Sequence, residues 1–156
     1  MCIRDRVKSV STLWAIAPQP VAAAIERAHQ SAVNDALNYL QDQAILTREG
    51  AQGIRQVETR GLIGTAFTHR DSRAGDPDLH THVAVANKVQ TRREGKWLAI
   101  DGRVLFKATV TASEVYNTRL EHHLRRAPDS YTHLRAHQTV LDPVCRLLLD
   151  KKNTYH

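Results

Sequence analysis

Long apolar runs are missing from this 156-residue chain. No stretch approaches the roughly 17–25 consecutive apolar residues that a membrane-spanning helix needs, which excludes such a span. The first residues, MCIRDRV, also lack the apolar core of a signal peptide. We therefore expect a cytoplasmic protein that folds as one domain, with enough chain to bury a modest core.

Cysteine is scarce as well. The two cysteines, Cys2 and Cys145, are too far apart in sequence to indicate a disulfide framework or a metal-binding spacing. Hydrophobic residues make up 42% of the chain, which argues against wholesale disorder. The net charge of +6 is compatible with a nucleic-acid partner but does not by itself indicate one.

Histidine is concentrated in one segment, FTHRDSRAGDPDLHTHVAVANKV. His69 ends a strand-like run that begins at Gly61, and His80 and His82 lie on a second run. Side-chain alternation puts His80 and His82 on one face of that strand and apolar residues on the other. Residues 70–78 are rich in Ser, Gly, Asp and Pro, which is typical of a turn. If the two runs pair as a hairpin, His69 lies beside the other two histidines.

Three neutral imidazoles that converge in this way suit a divalent metal with positions left open for a substrate. A lone histidine on a sheet is usually a half-buried polar residue, and many H-x-H pairs bind nothing. The strand–loop–strand context nevertheless favours a metal site made by His69, His80 and His82. Barrel amidohydrolases also carry an H-x-H pair, but this chain is too short for that barrel.

Helical periodicity marks two long segments. One helix is predicted from about Val21 to Ile45 and a second from about Arg103 to Arg125. The predicted apolar stripes are Val21, Ala24, Ile25, Ala28, Ala32, Val33, Ala36, Leu37 and Leu40 on the first helix, and Leu105, Phe106, Thr109, Ala112, Val115, Tyr116, Leu120 and Leu124 on the second. Residues 47–53 are expected to form a loop, 54–58 a short strand and 97–100 a further strand. The pieces indicate an α+β fold, an antiparallel sheet with helices on one face and the histidines on the other.

The sequence HRDSRAGDPDLHTHVAVAN resembles the histidine-triad signature of conjugative relaxases of the MobF type, the TrwC/TraI-like relaxase domain. The similarity extends from about Lys8 to about Leu124. The resemblance implies part of an HUH-endonuclease-like relaxase palm that holds a divalent metal ion (Mg, Mn or Zn). It also implies single-stranded DNA at a transfer origin as the partner, and other conjugation proteins as partners through the parent protein.

The resemblance also implies a tyrosine nucleophile that nicks one DNA strand during plasmid transfer. The family places its tyrosines before the segment that matches here, and none of Tyr39, Tyr116, Tyr131 and Tyr155 occupies a matching place. We therefore expect a fragment with the metal site and no catalytic tyrosine.

Two other functions remain open. The first is a metal-dependent single-stranded DNA-binding module without catalysis. The second is a small-phosphoester hydrolase, which is less favoured because Asp71, Asp76 and Asp78 are better explained by turn chemistry than as a general base.

Basic residues flank the predicted metal site on both sides. The candidates for contacts with DNA phosphates are Arg70, Arg73, Lys88, Arg92 and Arg93. Asn87 is a candidate for a hydrogen bond to a metal ligand or to DNA. By strict alternation Asn87 faces away from the histidines, so a bulge is needed to bring it round.

The two ends differ in character from the middle. Residues 1–6 and residues 128–156 resemble translated sequencing-adapter sequence. We therefore expect a non-native end at 1–6, a partial TrwC-like relaxase domain at 7–127 and a non-native tail at 128–156. The ends are expected to pack poorly on the rest of the chain or to form a loosely attached element.

Overall fold

The computed structural model describes residues 2–4 and 8–127 of the chain. Ten main elements follow one another, with a short 3-10 turn at Ala51–Gly53 between the second and third strands. In chain order they are β1 (Cys2–Arg4), α1 (Lys8–Ile16), α2 (Gln19–Gln43), β2 (Leu46–Glu49), β3 (Arg55–Glu58), β4 (Gly64–Asp71), β5 (Pro77–Val85), β6 (Val89–Gln90), β7 (Trp97–Leu98) and α3 (Gly102–Arg126).

The strands are antiparallel throughout the described part of the chain and form three small sheets. β5 is the central strand of the largest, in the order β1-β5-β4, while β2 pairs with β3 and β6 pairs with β7. Isolated bridges link Thr47 with Ile100 and Thr59 with Thr91. The α+β prediction is confirmed, although residues 97–98 belong to a separate hairpin and not to the sheet that carries the histidines.

The core lies between the helices and the inner face of β5. α2 begins after Pro18, and Pro20 occupies its first turn, where the missing N–H leaves no helical hydrogen bond unmade. Its predicted apolar stripe is buried except for Leu37, which is half-buried. Leu79 and Val83 of β5 pack against this stripe together with residues of α1 and α3. Within the described residues, no helix is both long and apolar enough to cross a membrane.

Two local predictions were wrong. Thr47–Glu49 was predicted to lie in a loop, but it belongs to β2, where the buried Thr47 hydroxyl donates to the carbonyl oxygen of Ala99 at 2.6 Å. Long-range pairing overrides the polar composition of this segment. Phe106 was predicted to be buried, but 78% of its surface is exposed. At the start of α3, the predicted Leu105 packs on the core together with Val104 and Ala108, while the rest of the buried stripe follows the prediction.

Residues 1–6 were expected to pack poorly or to form a loosely attached element. Of these, Cys2–Arg4 pairs with β5 through Cys2–His82 and Arg4–His80. β5 presents a backbone edge on the side away from β4, and an extended segment can satisfy that edge whatever its side chains. The predicted tail, residues 128–156, lies outside the described residues.

We expect deletion of residues 128–156 to shift the thermal unfolding midpoint by less than about 3 °C. The reason is that both apolar clusters of the described chain are complete by Leu124. Circular dichroism melts of the full and shortened chains measure the shift. A chain ended at Thr118, which loses the buried Leu120 and Leu124, is the control and should melt well below both. A large drop on removing 128–156 alone would show that this segment belongs to the fold.

Candidate metal centre

The pairing of β4 with β5 brings the three predicted histidines together. In the antiparallel register, His69 lies opposite His80, and Phe67 lies opposite His82. The centroid of the His69 ring is 5.3 Å from that of His80 and 5.0 Å from that of His82, and the His80 and His82 rings are 4.9 Å apart. Strand alternation therefore places all three rings on the face of the sheet away from the helices.

A backbone contact fixes the tautomer of the neutral His80 ring. Its Nδ1 lies 2.8 Å from the carbonyl oxygen of Asp78. Because a carbonyl oxygen only accepts hydrogen bonds, Nδ1 carries the proton, and the lone pair of the neutral ring is on Nε2. A histidine that binds a metal is commonly oriented by such a bond from its other nitrogen. His80 is thus prepared to act as a ligand through Nε2.

The spacing of two nitrogens fits a common ion. Nε2 of His80 lies 3.2 Å from Nε2 of His82. Two ligands at about 2.1 Å from a tetrahedral ion are about 3.4 Å apart. The ring of His69 is stacked on that of His80 at an interplanar angle of 29°, so it must rotate to direct a nitrogen at the same point. His69 is exposed, which leaves room for this rotation.

The donor atoms are not yet in a ligand arrangement. Among residues 2–4 and 8–127, no group of three or more His, Cys, Asp and Glu side chains stands in a geometry that could hold a metal ion. The three rings are close together, and the His69 ring is stacked on that of His80. Imidazole nitrogens are suitable ligands for a divalent ion. Rotation of the exposed His69 ring would bring the third ligand to the other two.

Below the histidines, on the helix side of the sheet, lies a buried polar network. His29 of α2 is 2% exposed, and both of its ring nitrogens are hydrogen-bonded. Nε2 lies 2.7 Å from Oγ1 of Thr81, and Nδ1 lies 2.7 Å from the hydroxyl of Tyr116. Oγ1 of Thr81 is in turn 3.2 Å from Oγ1 of Thr68.

Burial is the main cause that lowers the pKa of His29 to about 4, with a smaller contribution from His80. His29 is therefore neutral at neutral pH. Sequence reasoning missed this residue, although it sits beside Ala28 and Ala32 in the apolar stripe of α2. A histidine within such a stripe signals a buried and hydrogen-bonded side chain.

Arg70, a predicted DNA contact, is exposed and pairs with a carboxylate of α2. Its Nε is 3.2 Å from Oε1 of Glu26, on α2, and Trp14 Nε1 donates to the same oxygen at 3.0 Å. The hydrogen bond from Arg70 is the main cause that lowers the pKa of Glu26. The guanidinium of Arg70 is therefore already paired with a carboxylate of α2.

The other predicted basic residues lie on exposed turns. Arg73 is exposed in the turn between β4 and β5. Lys88 stands over the ring of Trp97, with Nζ 5.8 Å from the ring centroid. Arg92 and Arg93 lie in the β6–β7 turn, and Nη1 of Arg92 is 3.5 Å from Oε2 of Glu58.

Asn87, predicted to contact a metal ligand or DNA, makes a backbone contact in the structure. Its Oδ1 accepts a hydrogen bond from the backbone N–H of Ile100 at 3.2 Å. The contact ties the end of β5 to the segment after β7. The bulge needed to bring Asn87 towards the histidines is absent from this part of the described chain, since the register shift of the hairpin lies between His69 and Asp71.

The two tyrosines of the described chain lie on the helices. Tyr116 is 1% exposed, and its hydroxyl is bonded to His29. Tyr39 is half-buried and lines a cavity of about 580 Å³ between α2 and α3. Tyr131 and Tyr155 lie outside the described residues.

Comparison with curated proteins finds conjugation proteins. The chain is 38% identical over 91 residues to the multifunctional conjugation protein TraI of Escherichia coli, and 36% identical over 96 residues to TraI of strain K12. These alignments cover 56% and 60% of the chain. The chain spans 5% of the length of either relative.

Comparison with solved structures finds the conjugative relaxase TrwC. Its complex with mutant OriT DNA superposes with a TM-score of 0.68 at 36% identity, over 80% of this chain and 43% of that one. A metal-bound TrwC structure with OriT DNA gives 0.70 at 35% identity, over 81% and 42%. The family described as TrwC relaxase matches residues 6–144, which takes in part of the predicted tail. The chain belongs to the TrwC relaxase family.

Proposed function

We propose that this chain is a portion of a conjugative relaxase that binds single-stranded DNA at a transfer origin and holds a divalent metal ion on His69, His80 and His82. One observation carries the proposal: the three imidazole rings lie within 5.3 Å of one another on the sheet face opposite the helices. Relatives in the family support it, since TrwC is described both with OriT DNA and in a metal-bound form.

Three neutral imidazoles leave the charge of a divalent ion uncancelled. When bound, Mg, Mn or Zn would neutralise charge on a phosphate and orient it for in-line attack. The protein contributes the ligand geometry: the carbonyl of Asp78 orients His80, and the pairing of β4 with β5 keeps His69 within reach. His69 and His82 are exposed, so a DNA strand can reach this side of the site without opening the fold, whereas His80 is buried at 6% exposure.

The proposed DNA contacts are Lys88, Arg92 and Arg93, with Arg73 in the turn of the β4–β5 hairpin that carries the three histidines. Trp97 is 48% exposed under the ammonium group of Lys88. An aromatic ring among cations is suited to single-stranded DNA, because a base can stack on the ring while the cations bind phosphates. Arg70 stays a predicted contact, and its side chain, which is 58% exposed, is also paired with Glu26.

Neither tyrosine of the described residues is placed to act as a nucleophile at the three histidines. Tyr116 is buried beneath the sheet, and Tyr39 lies between the helices, so neither hydroxyl faces the triad. This placement also supports the alternative function, a metal-dependent single-stranded DNA-binding module without catalysis. The two functions differ in whether a parent protein supplies a tyrosine to this site.

The test is binding of a fluorescently labelled single-stranded oligonucleotide, followed by anisotropy at several salt concentrations. We expect weak binding that falls steeply with salt, because phosphate contacts release counterions. The double variant Arg92→Gln/Arg93→Gln should reduce the slope of log K against log salt by about 1 to 2, since each phosphate contact contributes about 0.7 for a single strand.

The control is Arg125→Gln/Arg126→Gln, which removes the same charge at the end of α3. It should leave the salt slope unchanged, because those residues lie at the far end of a helix on the other side of the sheet. Equal losses in the two double variants would mean that DNA responds to net charge alone, and the proposed interface would then be withdrawn.

A further inference from the structure

The buried hydrogen bond between His29 and Thr81 occurs directly beneath the metal-binding strand. Thr81 is 0% exposed and lies between His80 and His82 in sequence. Because side chains alternate along a strand, a Thr81 side chain that points to the helices forces both neighbours to the opposite face. Whatever fixes Thr81 therefore also fixes the direction of the two histidines.

Apolar packing alone does not fix the register of β5, that is, its position along the strand axis. Leu79 and Val83, the inward neighbours of Thr81, are both buried apolar residues. A slip of β5 by two residues would keep the apolar face inward, since the side-chain period of a strand is two. The slip would, however, bring an aliphatic side chain to His29 in place of the Thr81 hydroxyl. It would also leave the buried ring nitrogen of His29 without a partner, which carries a large desolvation penalty.

The hydrogen-bonded chain runs through every layer of the domain. It begins at Tyr116 on α3, passes through His29 on α2 and Thr81 on β5, and ends at Thr68 on β4. Thr68 pairs with Thr81 across the hairpin and immediately precedes His69. Each of the three predicted ligands is thus next in sequence to a threonine of this network. Every fully buried side-chain nitrogen and oxygen of the described residues has a partner, so the network is complete.

We propose that His29 is a positioning residue for the metal centre, which acts through Thr81 and Thr68 to hold His69, His80 and His82 in register on the opposite face of the sheet. The inference rests on the proposed metal-binding function. His29 does not bind the ion, because both of its nitrogens are engaged beneath the sheet. Its neutrality at neutral pH also keeps a second positive charge away from the ion.

The test replaces Thr81 and follows Co²⁺ binding to the full chain by visible absorption. Thr81→Val keeps the shape of the side chain and removes the hydroxyl. We expect about 10-fold weaker Co²⁺ binding and an altered d–d spectrum, since groups that orient metal ligands contribute about 10–100-fold to affinity. Thr81→Ser, which keeps the hydroxyl, should restore both. His29→Leu should match Thr81→Val if it folds, and the valine and serine pair decides the question if it does not.

The matched control is Tyr116→Phe. This variant removes the hydrogen bond on the other nitrogen of His29 and leaves the bond to Thr81. It should lower the unfolding midpoint about as much as Thr81→Val, while the Co²⁺ affinity and spectrum stay those of the wild type. If Thr81→Val lowers the midpoint but binds Co²⁺ like the wild type, the network is merely structural and the proposal is overturned. If the wild type itself shows no Co²⁺ spectrum, the metal site fails, and the positioning role falls with it.

Discussion

Replacement of His80 by alanine is expected to lower the affinity for Zn²⁺ or Mn²⁺ by more than about 100-fold. Removal of a group that merely orients a ligand loses about 10–100-fold, and removal of the ligand itself should lose more. His80 is the best prepared of the three, because the carbonyl of Asp78 fixes its proton on Nδ1 and leaves Nε2 as the donor. Isothermal titration calorimetry measures the change.

His122→Ala is the matched control. His122 is exposed near the end of α3 and stacks edge-on with His123, whose Nε2 is 2.8 Å from Oδ2 of Asp35. Its loss removes one histidine from the chain and none from the proposed site, so metal affinity should not change. Similar losses in the two variants would mean that the ion binds surface histidines without selection. An unchanged affinity in His80→Ala would remove the triad as the metal centre.

His69→Ala should weaken binding less than His80→Ala does. The His69 ring must rotate before it can bind, and the free-energy cost of that rotation offsets part of its contribution to affinity. The same calorimetric titration separates the two, and the control is again His122→Ala. A larger loss at His69 than at His80 would show that the fixed tautomer of His80 does not decide the strength of the site.

The arrangement of the histidines was predictable from local pattern alone. Alternation along the His80–His82 strand and a turn-rich segment before it are enough to predict a hairpin with His69 alongside. The structure shortens the turn, since β4 continues to Asp71 and β5 begins at Pro77. The apolar stripe of α2 was predictable for the same reason, because a period of 3.6 residues over a long helix is a strong signal.

Long-range contacts account for what the sequence did not reveal. The strand at Thr47 depends on hydrogen-bond partners beyond residue 54, and no local sequence pattern indicates them. Arg70 follows His69 directly and was predicted as a DNA contact, but its ion pair with Glu26, far back in the chain on α2, was not predicted. The role of His29 likewise depends on Thr81 and Tyr116, which are distant in sequence and meet only in the folded core.

No covalent adduct is expected between this chain and an origin-bearing oligonucleotide, whichever metal is supplied. A metal polarises the phosphate, but strand transfer also needs an oxygen nucleophile held at about 3–3.5 Å in line with the scissile bond. Tyr116 is 1% exposed, and its hydroxyl is bound to His29 on the helix side of the sheet. For Tyr116 to reach a phosphate at the triad, α3 would have to leave the core.

Tyr39 is no better placed. It is half-buried on α2 and lines the cavity between α2 and α3 together with Asp35 and Arg119. A strand bound at the triad face is separated from this cavity by the helical layer. The described tyrosines therefore lie on the wrong side of the sheet for attack on a phosphate held by the three histidines.

The measurement is incubation of the purified chain with labelled single-stranded DNA and Mn²⁺, followed by denaturing electrophoresis. The expected result is no protein–DNA band that survives denaturation. An adduct should form only when the tyrosine-bearing segment of a related full-length relaxase is joined ahead of this chain, and His80→Ala in that fusion should reduce it sharply. A band from the chain alone, lost in Tyr39→Phe or Tyr116→Phe, would show that the fold rearranges to supply its own nucleophile. If the fusion also gives no band although it binds metal and DNA, the metal-dependent DNA-binding module becomes the better description, because both ligands would then be held without chemistry between them.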